Sequence, residues 1–387
     1  MDLLAQFKKS NIVHSCLAIS FFSSGLIINI IQCILYYGLK PFNKRLYRRI
    51  GYYLCYSLFS QMVFIADWWS NSKLYVYCDA EVRKKYLGKE HVLLLMNHTY
   101  DIDWLIGWML CEKLGVLGNC KAYAKKAISY IPVIGWSWKF AEFVFLERSF
   151  DKDKEIIGRQ IKEILDYPDP VWLLLNAEGT RFTEQKHEAS VKFALDRGMT
   201  VLKHHLIPRT KGFTASLPYL KEKCPCILDI QLAFKKSDKV EPTVGNLLHG
   251  RSVYAHMYVN RIDMKTLPNN EIEASEWLQE FFRRKDQLQD SFHTYGDFFT
   301  GSGVDPVDPI TFTPTIGTIA NTVCWSVVTL TPILYYMVGL FLGGELVYVS
   351  IGVAILSVFY ILMQKTIGMS KISKGSSYGA STLPSKS

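Results

Sequence analysis

Two long stretches of this 387-residue chain lack charged side chains. Residues 10–39 contain no Asp, Glu, Lys or Arg, and between residues 308 and 365 the only formal charge is Glu345. A membrane-spanning helix needs about 20 mostly apolar residues, so both stretches are long enough. The first is too long for a cleaved signal peptide and lacks a small-residue cleavage site, which predicts a retained anchor. Gly343-Gly344 splits the second, which predicts a C-terminal transmembrane hairpin over 301–366; a buried pair of core helices is the alternative.

Metal-binding and disulfide patterns are also missing. The nine cysteines are an odd number and include no C-x-x-C pair, which argues against a disulfide framework and suits free thiols in a reducing compartment. Cys224-Pro-Cys226 is too tight for a zinc knuckle. His187-Glu188 begins a zincin pattern, but Val191 stands where the second histidine belongs. We therefore predict no metal site.

The formal net charge is +9, yet the basic residues are scattered and no nucleic-acid motif accompanies them. A lipid surface or a phosphorylated substrate is the partner that this pattern favours. Five Lys or Arg residues lie within 40–49, just after the first apolar stretch, which predicts that this side is cytosolic. The segment 50–66 is short and rich in Tyr and Ser; a membrane span is one alternative, and we favour a segment that dips into the membrane or lies on its surface, so that the following domain is cytosolic.

Between the apolar stretches, strand-like and helix-like patterns alternate, which predicts an α/β domain over residues 70–300. Continuous apolar runs such as VLLLM and VWLLL indicate strands that are buried on both faces of the sheet. Residues 1–69 are expected to form a membrane anchor with an interfacial helix, and residues 367–387 a disordered basic tail. Residues 294–315 are rich in Gly, Pro and Asp and are interpreted as a linker. The predicted strands are 73–79, 91–97, 143–147, 171–177, 226–234 and 252–260, and the predicted helices 102–114, 151–166, 187–199 and 271–289.

One predicted strand ends in a histidine and two carboxylates. Asn97-His98 follows VLLLM and precedes a predicted helix that contains Asp101 and Asp103. Sites in α/β folds commonly form at this edge of the sheet, where His98 could act as a base oriented by a neighbouring acid. Spacing does not choose between the two acids, and a helix cap beside a solvated histidine is the alternative.

Three further polar segments follow predicted strands or apolar runs. Glu178-Gly179-Thr180-Arg181 places a turn, a hydroxyl and a guanidinium together, and an Arg fork suits phosphate oxygens. Lys125 precedes a Trp-rich segment that is typical of a membrane interface or of a core, and Arg148 ends the next predicted strand. Pro208 follows a third apolar run, with Arg209 and Lys211 beyond it.

Together these four stretches resemble the motifs of the glycerolipid acyltransferases, in particular the 1-acylglycerol-3-phosphate (lysophosphatidate) acyltransferases. The family's first motif, Asn-His, four residues and Asp, matches Asn97-His98 with Asp103, so the resemblance selects Asp103 over Asp101. FVFLER with Arg148 resembles the second, Glu178 to Arg181 matches the third, and LIP with Pro208 the fourth. AKKAISYIPVIGW, EGTRFTEQKH, IPRTKGFT and KGSSYG are similar to the animal gamma and delta members, and this likeness covers most of the chain.

The resemblance implies a single glycerolipid-acyltransferase-like α/β domain, with a mixed, mostly buried sheet flanked by helices and with membrane helices at both ends. It implies acyl transfer from acyl-CoA, a co-substrate, to the sn-2 hydroxyl of lysophosphatidic acid, giving phosphatidic acid without a cofactor. His98 would be the general base and Asp103 would orient it. A multi-pass protein of the endoplasmic reticulum membrane with a cytosolic catalytic domain is implied as well. The expected substrate-binding residues are Asn97, Lys125, Arg148, Glu178, Gly179, Thr180, Arg181, Pro208 and Lys211.

Other interpretations remain at this point. Another lysophospholipid, such as lysophosphatidylinositol, is an alternative acceptor, and a non-catalytic membrane scaffold is an alternative function. Gly375-Ser-Ser-Tyr-Gly379 matches a serine-hydrolase elbow, but no strand–helix pattern surrounds it. Cys111 is a candidate nucleophile that the general-base mechanism does not need. Asp101 is an additional acid where many relatives carry a different pattern, and we expect it to repel the substrate phosphate or to alter substrate choice.

Overall fold

The structure, a computed structural model, describes residues 3–147, 150–343 and 345–370. Arg148, the residues of the serine-hydrolase pattern and most of the predicted basic tail lie outside the described residues. The C-terminal helix Leu346–Ser370 extends into the segment 367–387 that the sequence predicts as disordered.

An eight-stranded mixed sheet forms the centre of the fold, with strand order β4-β3-β5-β2-β6-β7-β1-β8. Strands β4, β3, β5, β2 and β6 run parallel to one another, whereas β6 with β7 and β1 with β8 are antiparallel pairs. The predicted mixed sheet is therefore confirmed. The strands are β1 (Lys73–Tyr77), β2 (Val92–Met96), β3 (Cys120–Lys125), β4 (Val144–Leu146), β5 (Trp172–Leu175), β6 (Cys226–Phe234), β7 (Tyr254–Asp263) and β8 (Pro309–Thr311).

Helices cover both faces of this sheet, and their packing explains the continuous apolar runs. In β2, Val92, Leu94 and Met96 belong to the core on one face, while Leu93 and Leu95 belong to the core on the other. Successive strand residues point to opposite faces, so burial of both faces requires an unbroken apolar run. The helices are α1 (Leu3–Lys9), α2 (Asn11–Gly38), α3 (Lys44–Phe64), α4 (Ala80–Lys85), α5 (Asp103–Lys113), α6 (Ile134–Phe140), α7 (Phe150–Leu165), α8 (Glu184–Asp196), α9 (Thr210–Leu220), α10 (Val244–Leu248), α11 (Glu271–Tyr295), α12 (Ile316–Leu342) and α13 (Leu346–Ser370).

Helix α2 packs one face against the α/β domain and leaves the other exposed. Three of its buried polar side chains form hydrogen bonds with neighbouring elements: Ser24 with α3, Asn29 with the turn before α6, and Gln32 with α6 itself. Ile30 and Ile34 are exposed on the same helix. The apolar stretch that the sequence identifies as an anchor thus also forms part of the wall of the domain.

Helices α2 and α12 are long and apolar enough to cross a membrane by length and composition, and they indicate association with a membrane. Helix α12 leaves most of its apolar surface exposed, whereas nearly half of the most apolar part of α2 is buried. Three residues separate the end of α12 from the start of α13, a spacing that suits a helical hairpin. Helix α3, which contains residues 50–64, packs along α2, α5 and α12.

The sequence did not reveal several elements, among them the short helices α4, α6 and α10. Strand β3 and helix α9 were not predicted, and the segment interpreted as a linker contributes β8, which pairs with β1 through Tyr75 and Thr311. Each of these elements is short or interrupted by polar residues or proline, so its period is weak. The domain limits drawn from the sequence stay predictions.

Candidate active site

The carboxyl ends of parallel strands bring three of the polar segments to one edge of the sheet, and the backbone hydrogen bond from the Arg209 N–H to the Ala177 carbonyl joins the fourth to them. His98 follows β2, residues 176–181 follow β5, and Lys125 ends β3. Strand order places β3, β5 and β2 side by side, so segments far apart in sequence converge. Sites in α/β folds form at this edge because the strands end there and leave a crevice.

His98 contacts Asp103, not Asp101. The ring Nδ1 lies 3.0 Å from Asp103 Oδ2, and the imidazole is about one-fifth exposed while the carboxylate is buried. This contact assigns the proton to Nδ1, since the carboxylate oxygen accepts, and leaves Nε2 as the basic nitrogen. His98 lines the cavity described below, so a substrate proton can be accepted there.

The first turn of α5 holds the Asp103 carboxylate in place. Its Oδ2 also accepts hydrogen bonds from the backbone N–H of Thr99 (2.8 Å) and of Tyr100 (3.0 Å). Burial raises the pKa of Asp103, and the hydrogen bond and charge of His98 oppose that rise, followed by the two backbone bonds. Oδ1 of the same carboxylate is buried without a hydrogen-bond partner. The group is therefore costly to bury, which is typical of a functional carboxylate.

Asn97 and Glu178 fix the loops that carry the site. The Asn97 side chain donates to the carbonyl of Leu232 (2.9 Å) and accepts from the same residue's N–H (2.8 Å). The two Glu178 oxygens accept from the N–H groups of His98 and Leu206, both at 3.0 Å. Both side chains are buried, do not line the cavity and hold backbone groups of the surrounding loops, while the substrate contact that the sequence predicts for them stays a prediction.

Gly179 is required by the turn that presents Arg181. Its φ is +71°, and a Cβ added there would lie 2.8 Å from Cδ of Arg209. Thr180 Oγ1 accepts a hydrogen bond from Lys186 Nζ at 3.0 Å. The N–H of Phe182 donates to the carbonyl of His98 at 2.7 Å, which ties this turn to the histidine loop. A larger residue at 179 would therefore disturb both loops.

Arg181 forms an ion pair with Asp101 beside His98. Both side chains are mostly buried, at 12% and 17% exposed, and both line the cavity. Lys125, Arg209 and Lys211 line the same cavity, so the edge of the sheet carries a concentration of cations that suits an anionic group. Pro208 is buried beside them and does not line the cavity.

One cavity of about 590 Å³ runs from this polar edge into the apolar interior. Its lining includes side chains from α2, α3 and α5, and Thr322 and Ser326 of α12 extend it to the C-terminal hairpin. Sequence reasoning missed these residues because no motif marks them. Representative apolar lining residues are Leu17, Phe21, Leu58, Phe59, Met62, Leu105, Trp108, Ala122, Ile128, Ile134 and Trp138.

A buried histidine–carboxylate pair stabilises the loop that contains Leu206. His205 Nδ1 lies 2.9 Å from Asp286 Oδ1, and Asp286 also accepts from the N–H groups of Lys203 and His204, both at 2.8 Å. Burial acts to raise the pKa of Asp286, but the hydrogen bond and charge of His205 outweigh it and lower the pKa. The next residue, Leu206, donates to Glu178, so α11 anchors the loop that positions Glu178.

Comparison with known proteins identifies relatives over the whole length. The family model described as "Acyltransferase" matches residues 76–214, and "Acyltransferase C-terminus" matches residues 246–325. The chain is 37% identical to 1-acyl-sn-glycerol-3-phosphate acyltransferase gamma of Mus musculus over 387 residues, covering 100% of both chains. It is 36% identical to the gamma enzyme of Homo sapiens and 35% identical to its delta enzyme, over 98% of this chain and of each relative.

Among solved structures, the crystal structure of the 1-acyl-sn-glycerophosphate (LPA) acyltransferase PlsC from Thermotoga maritima matches with a TM-score of 0.43 and 14% identity. That match covers 71% of this chain and 95% of the bacterial one.

Proposed function

The chain belongs to the 1-acyl-sn-glycerol-3-phosphate acyltransferase family, and we propose that it transfers a fatty acyl group from acyl-CoA to the sn-2 hydroxyl of lysophosphatidate. The product is phosphatidate, and free CoA leaves. Relatives that carry this acceptor in their names match the chain from end to end. The observation that carries the chemistry is the 3.0 Å contact between His98 Nδ1 and Asp103 Oδ2 at the wall of a cavity shared with Arg181.

His98 acts as the general base in this proposal. Its Nε2 accepts the proton of the acceptor hydroxyl while that oxygen attacks the thioester carbonyl. Asp103 keeps the ring in the required tautomer and stabilises the imidazolium that forms. The tetrahedral intermediate then expels the CoA sulfur, which takes the proton back from His98. No protein nucleophile enters the balance, because the acceptor oxygen itself forms the new ester bond.

Arg181 holds the acceptor phosphate in this proposal. The hydrogen bond from the Phe182 N–H to the His98 carbonyl fixes the distance between the phosphate site and the base. Holding both reacting groups in one geometry supplies a large part of the rate enhancement. Lys125 and Lys211 line the same cavity and are the candidates for contact with the CoA phosphates. Arg148, predicted to assist with phosphate, stays a sequence prediction.

The apolar part of the cavity suits the fatty chains. Both substrates carry long hydrocarbon tails that partition into bilayers, and α2 forms part of the cavity wall as well as an exposed apolar surface. We place the protein in the endoplasmic reticulum membrane with its catalytic domain in the cytosol, as the resemblance and the basic residues at 40–49 suggest. Protease protection of a tag inserted in the α4–β2 loop of the full chain tests this orientation.

The direct test uses the purified full chain in detergent with lysophosphatidate and oleoyl-CoA. We expect thiol release that equals phosphatidate formation measured by mass spectrometry. His98→Ala should lose about 10² to 10⁴ of the rate. His249→Ala is the control, because this exposed histidine does not itself line the cavity; its side chain hydrogen-bonds to the Gly245 carbonyl and its ring packs against His14.

The opposite results are equally informative. Well-folded wild-type protein that releases no thiol with any lysophospholipid would support the non-catalytic scaffold. Turnover with lysophosphatidylinositol but not with lysophosphatidate would replace the proposed acceptor and leave the acyl transfer in place. Turnover that requires an acyl carrier protein thioester would replace the proposed donor.

A further inference from the structure

The cation proposed to bind the acceptor phosphate is already paired with a carboxylate of the same chain. Arg181 Nη1 donates to Asp101 Oδ1, and the pair lies within the cavity beside His98. Asp101 is not needed to orient His98, since Asp103 does so. A phosphate that enters to use this face of Arg181 therefore meets Asp101 as a competitor.

The backbones of both partners are fixed, so the pair can separate only by movement of its side chains. The carbonyl of Asp101 accepts a hydrogen bond from Trp104 Nε1 at 3.1 Å. The carbonyl of Arg181 accepts one from Lys186 Nζ at 3.0 Å, and the next N–H in the chain donates to His98. The loops stay in place when the ion pair opens, and the geometry around His98 is preserved.

We propose that Asp101 is a specificity-determining residue, a tethered competitor that the acceptor phosphate must displace from Arg181, and that it favours phosphate monoesters over phosphodiesters. The inference rests on the proposed function. Its basis is the ion pair itself, whose two members line the same cavity as His98, Lys125 and Lys211.

Charge explains the direction of the selectivity. A phosphate monoester carries a second ionisation with a pKa of about 6, so it is largely dianionic at pH 7. A phosphodiester carries a single charge, equal to that of the carboxylate it must replace. The tether gives Asp101 an advantage in effective concentration over any free monoanion. The dianion overcomes this advantage through its additional charge, and the monoanion does not.

A different behaviour of Asp101 would give the opposite sign. If its carboxylate stayed beside the bound phosphate, it would repel the dianion about twice as strongly as the monoanion. Removal of Asp101 would then increase the preference for the monoester. The sign of the change in selectivity therefore distinguishes displacement from repulsion.

The experiment compares lysophosphatidate with lysophosphatidylinositol of the same acyl chain, at equal mole fraction in detergent, with oleoyl-CoA as donor. For Asp101→Asn we expect the ratio of kcat/KM, monoester over diester, to fall about tenfold, or about 1.4 kcal/mol. The change should appear as a lower KM for lysophosphatidylinositol. Asp101→Glu restores the negative charge and should restore the preference.

Asp169→Asn serves as the matched control. Asp169 pairs with Arg49 at the surface, where both side chains are about half exposed. It does not line the cavity, so its substitution should leave the acceptor ratio unchanged. Should Asp101→Asn melt at a lower temperature than wild type, Asp101→Ser carries the same comparison.

Acidification provides a second arm. Between pH 7.5 and pH 5.5 lysophosphatidate loses its second charge while the phosphodiester does not change, so the wild-type ratio should fall toward that of Asp101→Asn. Titration of a group that changes kcat/KM for both acceptors by the same factor does not change this ratio. The titratable groups that face the ion pair or line the rest of the cavity are His14, His98, Asp103, Cys111, Cys120, Lys121, Tyr123, Lys125, Asp153, Lys186, Arg209 and Lys211.

An unchanged or increased ratio in Asp101→Asn would refute the proposal that the phosphate displaces Asp101 from Arg181. Acyl transfer by the same proteins would still support the proposed function. Absence of turnover with both acceptors in folded wild-type protein would remove the proposed function and this inference with it.

Discussion

Asp103→Asn separates orientation of His98 from the structural role of the helix start. The amide oxygen can still accept from the N–H groups of Thr99 and Tyr100, so α5 keeps its first turn. What is lost is the negative charge that stabilises the imidazolium across the 3.0 Å contact. Hydrogen bonds to charged groups contribute about 1.5–3 kcal/mol, which corresponds to a loss in kcat of roughly 10- to 150-fold.

A double-variant cycle tests the assignment. His98→Ala, Asp103→Asn and the combined variant are assayed for phosphatidate formation, each with a thermal melt to verify folding. Because Asp103 acts through His98, the combined variant should be no slower than His98→Ala alone. Losses that multiply, or an Asp103→Asn enzyme within threefold of wild type, would refute this role for Asp103.

Three further predictions concern the structure around the site. Glu178→Gln puts an amide N–H₂ against one of the two backbone N–H donors, so this variant should have a free energy of unfolding about 1–3 kcal/mol lower and a reduced kcat. An unchanged chemical denaturation curve would contradict this prediction. Burial acts to raise the pKa of Glu142, but Arg48 outweighs it and lowers the pKa to about 2, so the carboxylate stabilises the fold above about pH 4.5 and this stabilisation is lost as pH falls toward 2. Glu142→Gln should lower the free energy of unfolding by about 3 kcal/mol at pH 7, because Arg48 is then buried without this partner. A difference in unfolding free energy between the two proteins that stays constant from pH 7 to pH 3 would refute this prediction. The hydrogen bond with Cys120 and burial raise the pKa of the Cys111 thiol well above its ordinary value, so Cys111→Ala should retain acyl transfer, and a dead but folded variant would indicate an acyl-enzyme.

The parts of the site that sequence could predict are those encoded by strand ends. Apolar runs such as Val92–Met96 define the buried strands, and polar residues directly after them must lie at one sheet edge. The contact of His98 with Asp103 follows from local spacing once the acid is chosen, and the resemblance selected the acid that the structure places there. Local chemistry and chain order were sufficient for these features.

Features that depend on distant partners could not be predicted. Lys121 in β3 is buried, donates to Tyr167 at 3.0 Å and has its pKa lowered by burial to about 8. A lysine in the pattern CKAYAK argues against a buried strand, which explains why β3 was missed. In the sequence, Arg48 belongs to the basic residues that predict which side of the membrane is cytosolic. In the structure its side chain is buried and pairs with Glu142 and Glu163, which lie 94 and 115 residues away.

Glu178 shows how one buried motif acid can hold two loops in place. One oxygen holds the His98 loop and the other holds the loop at Leu206, which α11 anchors through Asp286. The N–H of Phe182 also ties the turn that carries Arg181 to the His98 loop, so this turn, the His98 loop and the loop at Leu206 are held together. In the proposed mechanism Glu178 thus contributes by fixing a distance, and its buried hydrogen bonds keep the attacking hydroxyl within reach of His98.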